Sequence, residues 1–183
     1  APEHRAQTRP PGGPHPDLPS DPRAGPRRLS CPNGSGGSAA VKIIVCIKRV
    51  VDTATRVKIG PDGKSIDLGG VQYITAPYDE MAVEKAIQLR DGAGEGTVTV
   101  LTVGPAAATK ERRTAPARGA DEAEHVLCEE ALGAAATTTA LKAALEGRAY
   151  DLLLCGKQAS DEDDAAVGPM LAAALDHPCV AFA

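Results

Sequence analysis

The sequence predicts an α/β protein, a three-layer α/β/α sandwich with a mostly parallel sheet. The residues from Val41 to Ile47 are mostly apolar and β-branched, which is typical of a strand buried on both faces. Runs of this kind then alternate with helix-like segments, as happens when parallel strands are joined by helical crossovers. Residues 150–170 also pass from an apolar run, through a polar loop, into an alanine-rich stretch. In open parallel sheets, small molecules bind at such strand-to-helix turns.

The first half of the chain is predicted to form one strand, one hairpin and one helix. Residues 56–59 and 65–68 alternate apolar with polar side chains around a turn sequence, which favours a hairpin with one face in water. Pro77 opens a helix whose acidic residues near the start suit the positive end of the helix dipole. The side chains that helical spacing places on its apolar face are Tyr78, Met81, Ala82, Ala86 and Leu89.

The second half is predicted to alternate strands with helices. Pro116 should kink or end the helix in which it lies, because proline lacks an N–H group. The predicted order is a strand at 97–103, a helix-like segment at 107–118, a strand at 124–127, a helix at 134–145, a strand at 151–155, a helix at 170–175 and a strand at 178–182.

Residues 1–40 differ in composition from everything that follows. They hold nine of the 15 prolines and six of the 19 glycines, without apolar periodicity. Such a segment cannot bury enough surface to offset its ordering entropy. We therefore expect a disordered leader rich in Pro, Gly and Arg, followed by one domain over 41–183. A processed leader, an artificial extension and an over-extended gene start remain open explanations for it.

Composition argues against several classes of function. A net charge of -4 disfavours nucleic acid as the partner, and one Phe, three Tyr and no Trp cannot build a base-stacking surface. The five cysteines contain no C-x-x-C pair and no His at ligand spacing, so neither a metal site nor a disulfide framework is expected. No run of about 18 apolar residues is present, so we expect no membrane insertion.

The loop between Gly156 and Gly168 is the strongest candidate for a binding site. It follows an apolar strand and leads into a helix, whose first-turn N–H groups favour an anion such as a phosphate. Four consecutive carboxylates, residues 161–164, oppose this, because each pair of like charges costs about 1 kcal/mol in water. The hypothesis requires these carboxylates to face solvent or to accept ribose hydroxyls. Backbone amides and Lys157 would then hold the phosphate.

Five motifs stand in a specific order along the chain. They are VCIKRVVD at 45–52, PYDEMAVE at 77–84, TVGP at 102–105, RGAD at 118–121 and GKQASDED at 156–163. Together they closely resemble the beta subunit of electron transfer flavoprotein, from about Val41 to Ala183. The family continues beyond this length, so the resemblance implies the nucleotide-binding part of a subunit truncated at its C-terminus. It also implies the adenine nucleotide alpha hydrolase-like form of the sandwich.

The resemblance implies an electron carrier rather than an enzyme in its own right. The partner would be an alpha subunit that carries the redox-active FAD shared by the heterodimer. Acyl-CoA dehydrogenases and a quinone oxidoreductase would be transient partners. The beta subunit would hold a structural AMP, or a second FAD in its place. The compartment would be the bacterial cytoplasm, or the mitochondrial matrix in a eukaryote.

The residues that match the family's nucleotide pocket come from three strand ends and the candidate loop. They are Cys46, Ala76, Pro77, Tyr78, Asp79, Val103, Gly156, Lys157, Gln158, Ala159, Ser160, Asp161, Glu162, Asp163, Asp164, Ala165, Ala166 and Val167. Two other readings stay open. One is a stand-alone ATP- or AMP-binding regulatory domain of the universal-stress type, although 156–168 lacks the G-x-x-G phosphate loop expected there. The other is a non-functional fragment.

Overall fold

A computed structural model of the chain describes residues 40–65, 67, 69–109, 116 and 118–181. Most of the predicted leader, much of the predicted helix at 107–118 and Phe182 of the last predicted strand lie outside these ranges. The described elements are β1 (Val41–Ile47), β2 (Arg49–Val51), β3 (Tyr73–Thr75), α1 (Pro77–Ala93), β4 (Gly96–Gly104), a 3-10 turn (Ala106–Ala108), β5 (Glu122–Leu127), α2 (Ala134–Leu145), β6 (Leu152–Cys155) and α3 (Val167–Ala174).

The main sheet has four parallel strands in the order β5-β4-β1-β6. β1 pairs with β4 along its whole length, from Val41 opposite Gly96 to Ile47 opposite Thr102. On its other side β1 pairs with the four residues of β6. The chain therefore builds outward from β1 in one direction through β4 and β5, and then crosses to the opposite side for β6. This reversal is the topological switch point at which open α/β sheets bind ligands.

Helices cover both faces of this sheet, which confirms the predicted α/β/α sandwich. Ile43 and Val45 of β1 pack with Val83 of α1 on one face. Ile44 of β1 packs on the other face with Leu141 of α2 and with α3. Burying each of these aliphatic side chains contributes about 1.5–3 kcal/mol. The near-absence of charged residues from β1 and β4 follows from burial on both faces.

The predicted hairpin at 56–59 and 65–68 is paired over its described residues, where the Gly60 N–H donates to the Ser65 carbonyl at 2.8 Å, and a second short sheet lies nearer to β1. Residues 49–51 and 73–75 pair as antiparallel strands, with Val50 opposite Ile74. Between them the described residues form a turn in which the Asp67 N–H donates to the Lys58 carbonyl at 2.9 Å. Ile59 is 78% exposed whereas Val50 is 1% exposed. Of the described apolar side chains in this hairpin, those of Val57 and Ile59 are exposed, whereas the sheet of β2 and β3 is stabilised by burial of Val50.

Helix α1 has the predicted start and end but buries a different face. Its buried residues are Asp79, Val83 and Ala86, and only Ala86 belongs to the predicted apolar face. Met81 is 64% exposed, and Tyr78 and Leu89 are exposed as well. The carboxylate of Asp79 binds two backbone N–H groups of the sheet layer, and this contact turns the Asp79 side of the helix inward.

The last predicted strand is wrong over its described residues. Positions 178–181 lie in no sheet and are exposed, with Val180 81% exposed. Helix α3, in contrast, begins at Val167, three residues earlier than predicted. None of the described helices has the length and apolar character needed to cross a membrane.

Candidate functional site

A cavity of about 280 Å³ opens at the carboxyl ends of β1, β4 and β6. The first turns of α1, α2 and α3 reach its wall through Asp79, Ala134 and Val167. The cavity lies at the topological switch point, where the strand order makes a crevice between neighbouring strand ends. Its volume is close to the lower end of the range for small-molecule pockets.

The structure brings most of the predicted site residues to this cavity. The ones that line it are Cys46, Asp79, Val103, Gly156, Lys157, Gln158, Ala159, Asp161, Glu162, Asp164, Ala165, Ala166 and Val167. Five others do not line it. Ala76 is fully buried and its N–H donates to the Lys48 carbonyl at 2.9 Å. Pro77 and Tyr78 lie exposed on the first turn of α1, and Ser160 and Asp163 are exposed in the loop.

Asp79 connects three elements at the edge of the cavity. Its Oδ2 accepts the Lys48 N–H at 2.7 Å, just after β1, and its Oδ1 accepts the Gly156 N–H at 3.0 Å, just after β6. Burial raises the pKa of this carboxyl to about 7, although the two backbone N–H groups act in the opposite direction. Asp79 also stands in the first turn of α1, so it occupies the positive end of that helix dipole itself.

Gly156 is required by close packing against α1. A Cβ at this position would lie 2.2 Å from Asp79 Oδ1 and 2.7 Å from the Asp79 backbone nitrogen. Any side chain would therefore push β6 away from the helix start. The absence of a side chain at Gly156 lets the backbone approach Asp79.

Lys48 neutralises part of the acidic loop. Its Nζ lies 2.9 Å from an Asp161 carboxylate oxygen and 3.0 Å from a Glu162 oxygen. Burial alone would lower the pKa of Lys48, but the hydrogen bonds to the two carboxylates raise it above its ordinary value. The repulsion that the run of carboxylates would exert on a bound anion is reduced accordingly. Spacing along the sequence does not reveal this contact, because Lys48 and Asp161 are 113 residues apart.

Replacing Lys48 with Met should loosen the loop without unfolding the domain. All three side chains are about one-third exposed or more, so the loss of unfolding free energy should stay below about 1 kcal/mol. Trypsin cleavage after Lys157 should become several-fold faster, because the loop loses its tether to the end of β1. The matched control is Lys64→Met, which removes the same charge from an exposed turn away from the cavity. Equal cleavage rates in the two variants would contradict a tethering role for Lys48.

The loop itself holds two residues in left-handed backbone conformations. Asp163 has φ 53° and Ala165 has φ 49°, and neither is glycine. Each such residue costs about 1–2 kcal/mol. The Asp163 N–H donates to the Ala159 carbonyl at 2.9 Å, and its Oδ1 accepts Gln158 Nε2 at 2.8 Å. These bonds close the loop into a compact turn, which directs Ala165 and Ala166 toward the cavity.

The wall of the cavity formed by the connection between β5 and α2 was not predicted from the sequence. Residues 130–132, together with Ala134 and Thr137, line the cavity from the connection between β5 and α2 and from the start of α2. Their residue types carry no chemical signal. Their position after a parallel strand was the usable clue, because strand-end connections converge on one edge of the sheet. Cys155, at the end of β6, also lines the cavity, beside Cys46.

The cavity is suited to a small molecule with an apolar part and an anionic part. Its apolar wall includes Val103, Leu132 and Leu141. The first turns of α2 and α3 present N–H groups without intrahelical partners, which favour negative charge. Over the described ranges, no group of three or more His, Cys, Asp or Glu side chains is arranged to hold a metal ion.

Comparison with known proteins places the chain in a family. Residues 65–183 match the model of the electron transfer flavoprotein domain. The chain is similar to the electron transfer flavoprotein subunit beta of Thermoanaerobacterium thermosaccharolyticum, with 43% identity over 145 residues that cover 78% of this chain and 55% of that protein. The human protein of the same name is 36% identical over 149 residues, which cover 79% of this chain and 58% of its own length.

A mitochondrial relative shares the same name. The mitochondrial electron transfer flavoprotein subunit beta of Oryza sativa subsp. indica is 38% identical over 147 residues, covering 78% of this chain and 58% of that protein. The chain thus spans a little over half the length of the curated relatives it matches. With a family model over most of its length and these identities, the chain belongs to the electron transfer flavoprotein family.

Proposed function

We propose that residues 41–183 form the nucleotide-binding part of an electron transfer flavoprotein beta subunit, and that the cavity holds an AMP with a structural role. The observation that carries this proposal is the position of the cavity at the topological switch point, between three strand ends and the first turns of α2 and α3. The family match supports the same assignment. It does not favour a stand-alone regulatory domain of the universal-stress type.

The residues around the cavity fit an adenine mononucleotide. Val103, Leu132 and Leu141 supply an apolar surface for the base. The carboxylates of Asp161 and Glu162, held by Lys48, can accept ribose hydroxyls. The N–H groups at the start of α3 suit the phosphate, and Lys157 lines the same cavity. The start of α1 is already occupied by the Asp79 carboxylate, so it does not compete for that phosphate. A cavity of about 280 Å³ supports AMP over the much larger FAD.

The task proposed for this nucleotide is to hold the two sides of the cavity together. The loop at 157–167 follows β6, and the contacts that hold it include the Lys48 ion pairs and a turn with left-handed backbone at Asp163 and Ala165. A ligand that contacts both this loop and the start of α2 would stabilise the folded chain by mass action. This role requires binding and positioning from the chain, and no catalytic step.

At the level of the whole protein, we propose an electron-carrying heterodimer. The names of the relatives support an alpha subunit as the partner, with an FAD that supplies the redox chemistry when it is bound. Acyl-CoA dehydrogenases would donate electrons and a quinone oxidoreductase would accept them. The proposed compartment is the cytoplasm in a bacterium or the mitochondrial matrix in a eukaryote, since both bacterial and mitochondrial relatives occur.

Three measurements test these proposals. Denaturing the purified chain and separating the released nucleotides should yield AMP in a near-stoichiometric amount, and FAD in its place would overturn the assignment of AMP. Titration of the nucleotide-free chain by calorimetry, with AMP and then with FAD, gives the affinities directly. Co-expression with an alpha subunit should give a yellow heterodimer. If the beta chain and the alpha subunit do not co-purify, the electron-carrier proposal is contradicted even when AMP binds.

Replacing Gly168 with Pro should weaken AMP binding by tenfold or more. The change removes one N–H at the start of α3, and a hydrogen bond to a charged group is worth about 1.5–3 kcal/mol. The AMP affinity from calorimetry is the measurement, with circular dichroism to check the fold.

The control variant is Gly168→Ala, because it keeps the N–H group. Its Cβ would lie 3.6 Å from the Cys155 Cβ, an ordinary van der Waals contact, so the helix start is preserved. We expect its affinity for AMP to stay within about threefold of the native value, which corresponds to less than 1 kcal/mol. Equal affinities for the Pro and Ala variants would contradict a role for this helix start in binding the phosphate.

A further inference from the structure

Cys46 and Cys155 face each other across two neighbouring strands. They are register partners in the parallel pairing of β1 with β6. Neighbouring strands lie about 4.7–4.9 Å apart, and a disulfide joins Cα atoms about 4.4–6.8 Å apart. Both side chains belong to the same packed cluster on the α2 and α3 face of the sheet. The strand pairing therefore places the two Cα atoms within the range that a disulfide can bridge.

Both thiols also line the cavity, which gives a small reagent a route to them. Cys46 is buried and Cys155 is partly buried, and both are free thiols. Cys128 and Cys179 are free as well, but neither lines the cavity. Accessibility from the cavity and pairing in register thus distinguish Cys46 and Cys155 from the other described cysteines, and from ordinary buried cysteines that only fill a core.

The environment makes the two thiols unequal. The hydrogen bond with Cys155, together with burial, raises the pKa of Cys46. The same hydrogen bond lowers the pKa of Cys155, although burial opposes this. The carboxylate of Asp79 acts against the thiolate form at both positions. The thiolate is the attacking species in disulfide exchange, and Cys155 is also the less buried of the two thiols, so we assign Cys155 as the nucleophile of the pair.

We propose that Cys46 and Cys155 form a redox-active dithiol at the floor of the cavity, which a low-molecular-weight disulfide oxidises to an intramolecular disulfide. In the first step the Cys155 thiolate attacks one sulfur of the reagent, a mixed disulfide forms and one thiolate leaves. In the second step Cys46 loses its proton and attacks the Cys155 sulfur, which releases the second thiol. One reagent disulfide is reduced to two thiols, and the two cysteines are oxidised by two electrons.

The direct test uses the full chain and hydroxyethyl disulfide, which is small and uncharged. After the reaction, free thiols are blocked with N-ethylmaleimide and the chain is digested with trypsin without reduction. Cleavage after Lys42, Lys48, Arg148 and Lys157 places the two cysteines in the peptides IIVCIK and AYDLLLCGK. We expect a linked pair of these peptides, lighter than their sum by two hydrogen atoms, and its complete loss after dithiothreitol. Recovery of both peptides as maleimide adducts, or as separate mixed disulfides, would overturn the proposal.

Single substitutions test the order of attack. Alanine is preferred to serine, because both positions lie in an apolar cluster and a hydroxyl would be left unpaired. In Cys46→Ala, the Cys155 peptide should accumulate as a stable mixed disulfide. In Cys155→Ala, the Cys46 peptide should form its mixed disulfide several-fold more slowly. The reverse order of rates would overturn the assignment of Cys155 as the nucleophile. Cys179→Ala, an exposed position, is the matched control and should give the linked pair at the native rate.

One consequence rests on the proposed function, because the dithiol forms part of the wall that AMP would cover. Saturating AMP should then slow formation of the linked pair several-fold, whereas the adduct at exposed Cys179 should form at an unchanged rate. Formation of the linked pair without any protection by AMP would leave the dithiol established and would contradict the location proposed for AMP. The two proposals therefore fail by different observations.

Discussion

Gly156→Ala should destabilise the domain by about 3 kcal/mol or more, at the upper end of the cost of overpacking. The new Cβ would lie 2.8 Å from the Tyr78 carbonyl carbon and 2.7 Å from the Asp79 backbone nitrogen. These are backbone atoms, so no side-chain rotation relieves the overlap. Either β6 or the start of α1 must move, and the hydrogen bond from the Gly156 N–H to Asp79 is lost with it. Denaturant unfolding, compared with the native chain at the same pH, measures the effect.

The control for this prediction is Gly92→Ala, near the end of α1. A Cβ at Gly92 meets nothing within 4 Å, and alanine is favoured over glycine inside a helix by about 0.5–1 kcal/mol. We therefore expect this variant to be as stable as the native chain or slightly more stable. A similar, small effect of both alanine substitutions would mean that β6 and α1 are not as closely packed at Gly156 as the structure has them.

The sandwich could be predicted because its central strands are buried on both faces. Runs such as Val41–Ile47 and 97–103 contain one charged residue between them, and glycine or proline bounds most of the elements. Glycine and proline also indicate helix boundaries: Pro77 opens α1, Gly94 ends it and Gly133 precedes α2. In each case the information lies within a few neighbouring residues, so tertiary contacts were not needed to locate the element.

Other features depend on contacts between distant residues and could not be predicted. β2 and β3 have three residues each, which is too short for a periodic signal, and they pair across more than 20 intervening positions. The contact between Lys48 and Asp161 depends on the pairing of β1 with β6, which brings the two distant segments together. The apolar face of α1 was misassigned because hydrophobic periodicity treats every carboxylate as exposed. Asp79 is buried, since two backbone N–H groups compensate for its loss of hydration.

The residues of the candidate site also divide into those predictable from their neighbours in sequence and those that depend on tertiary structure. The loop at 156–167 was located by its position between a strand and a helix, and most of its residues do reach the cavity. Ala76, Pro77 and Tyr78 came from a motif match, and they lie at the start of α1 without lining the cavity. The connection between β5 and α2 lines one wall of the cavity, but its residue types did not predict a binding role.

Asp79→Ala should cost about 2–4 kcal/mol of unfolding free energy, because it leaves two N–H groups, those of Lys48 and Gly156, without their acceptor. These groups anchor the ends of β1 and β6 to α1, so the loss should also widen the cavity. Glu80→Ala is the matched control in the same helix turn. Glu80 makes one exposed ion pair with Arg118, and its removal should cost less than about 1 kcal/mol.

The pH dependence of Asp79→Asn isolates the charge of this carboxyl. Its pKa is raised to about 7 in the folded chain from an ordinary value of 3.8, so the folded state binds more protons than the unfolded state between these values. The stability that native Asp79 provides, relative to Asn at the same position, is therefore fully present below pH 3.8 and falls as the pH rises toward 7. Unfolding free energies of both chains, measured from pH 4 to pH 8, give this difference directly. A difference that instead grows with pH would mean that the two N–H donors and the dipole of α1 outweigh burial, and that Asp79 acts as a permanent anion at the end of β1.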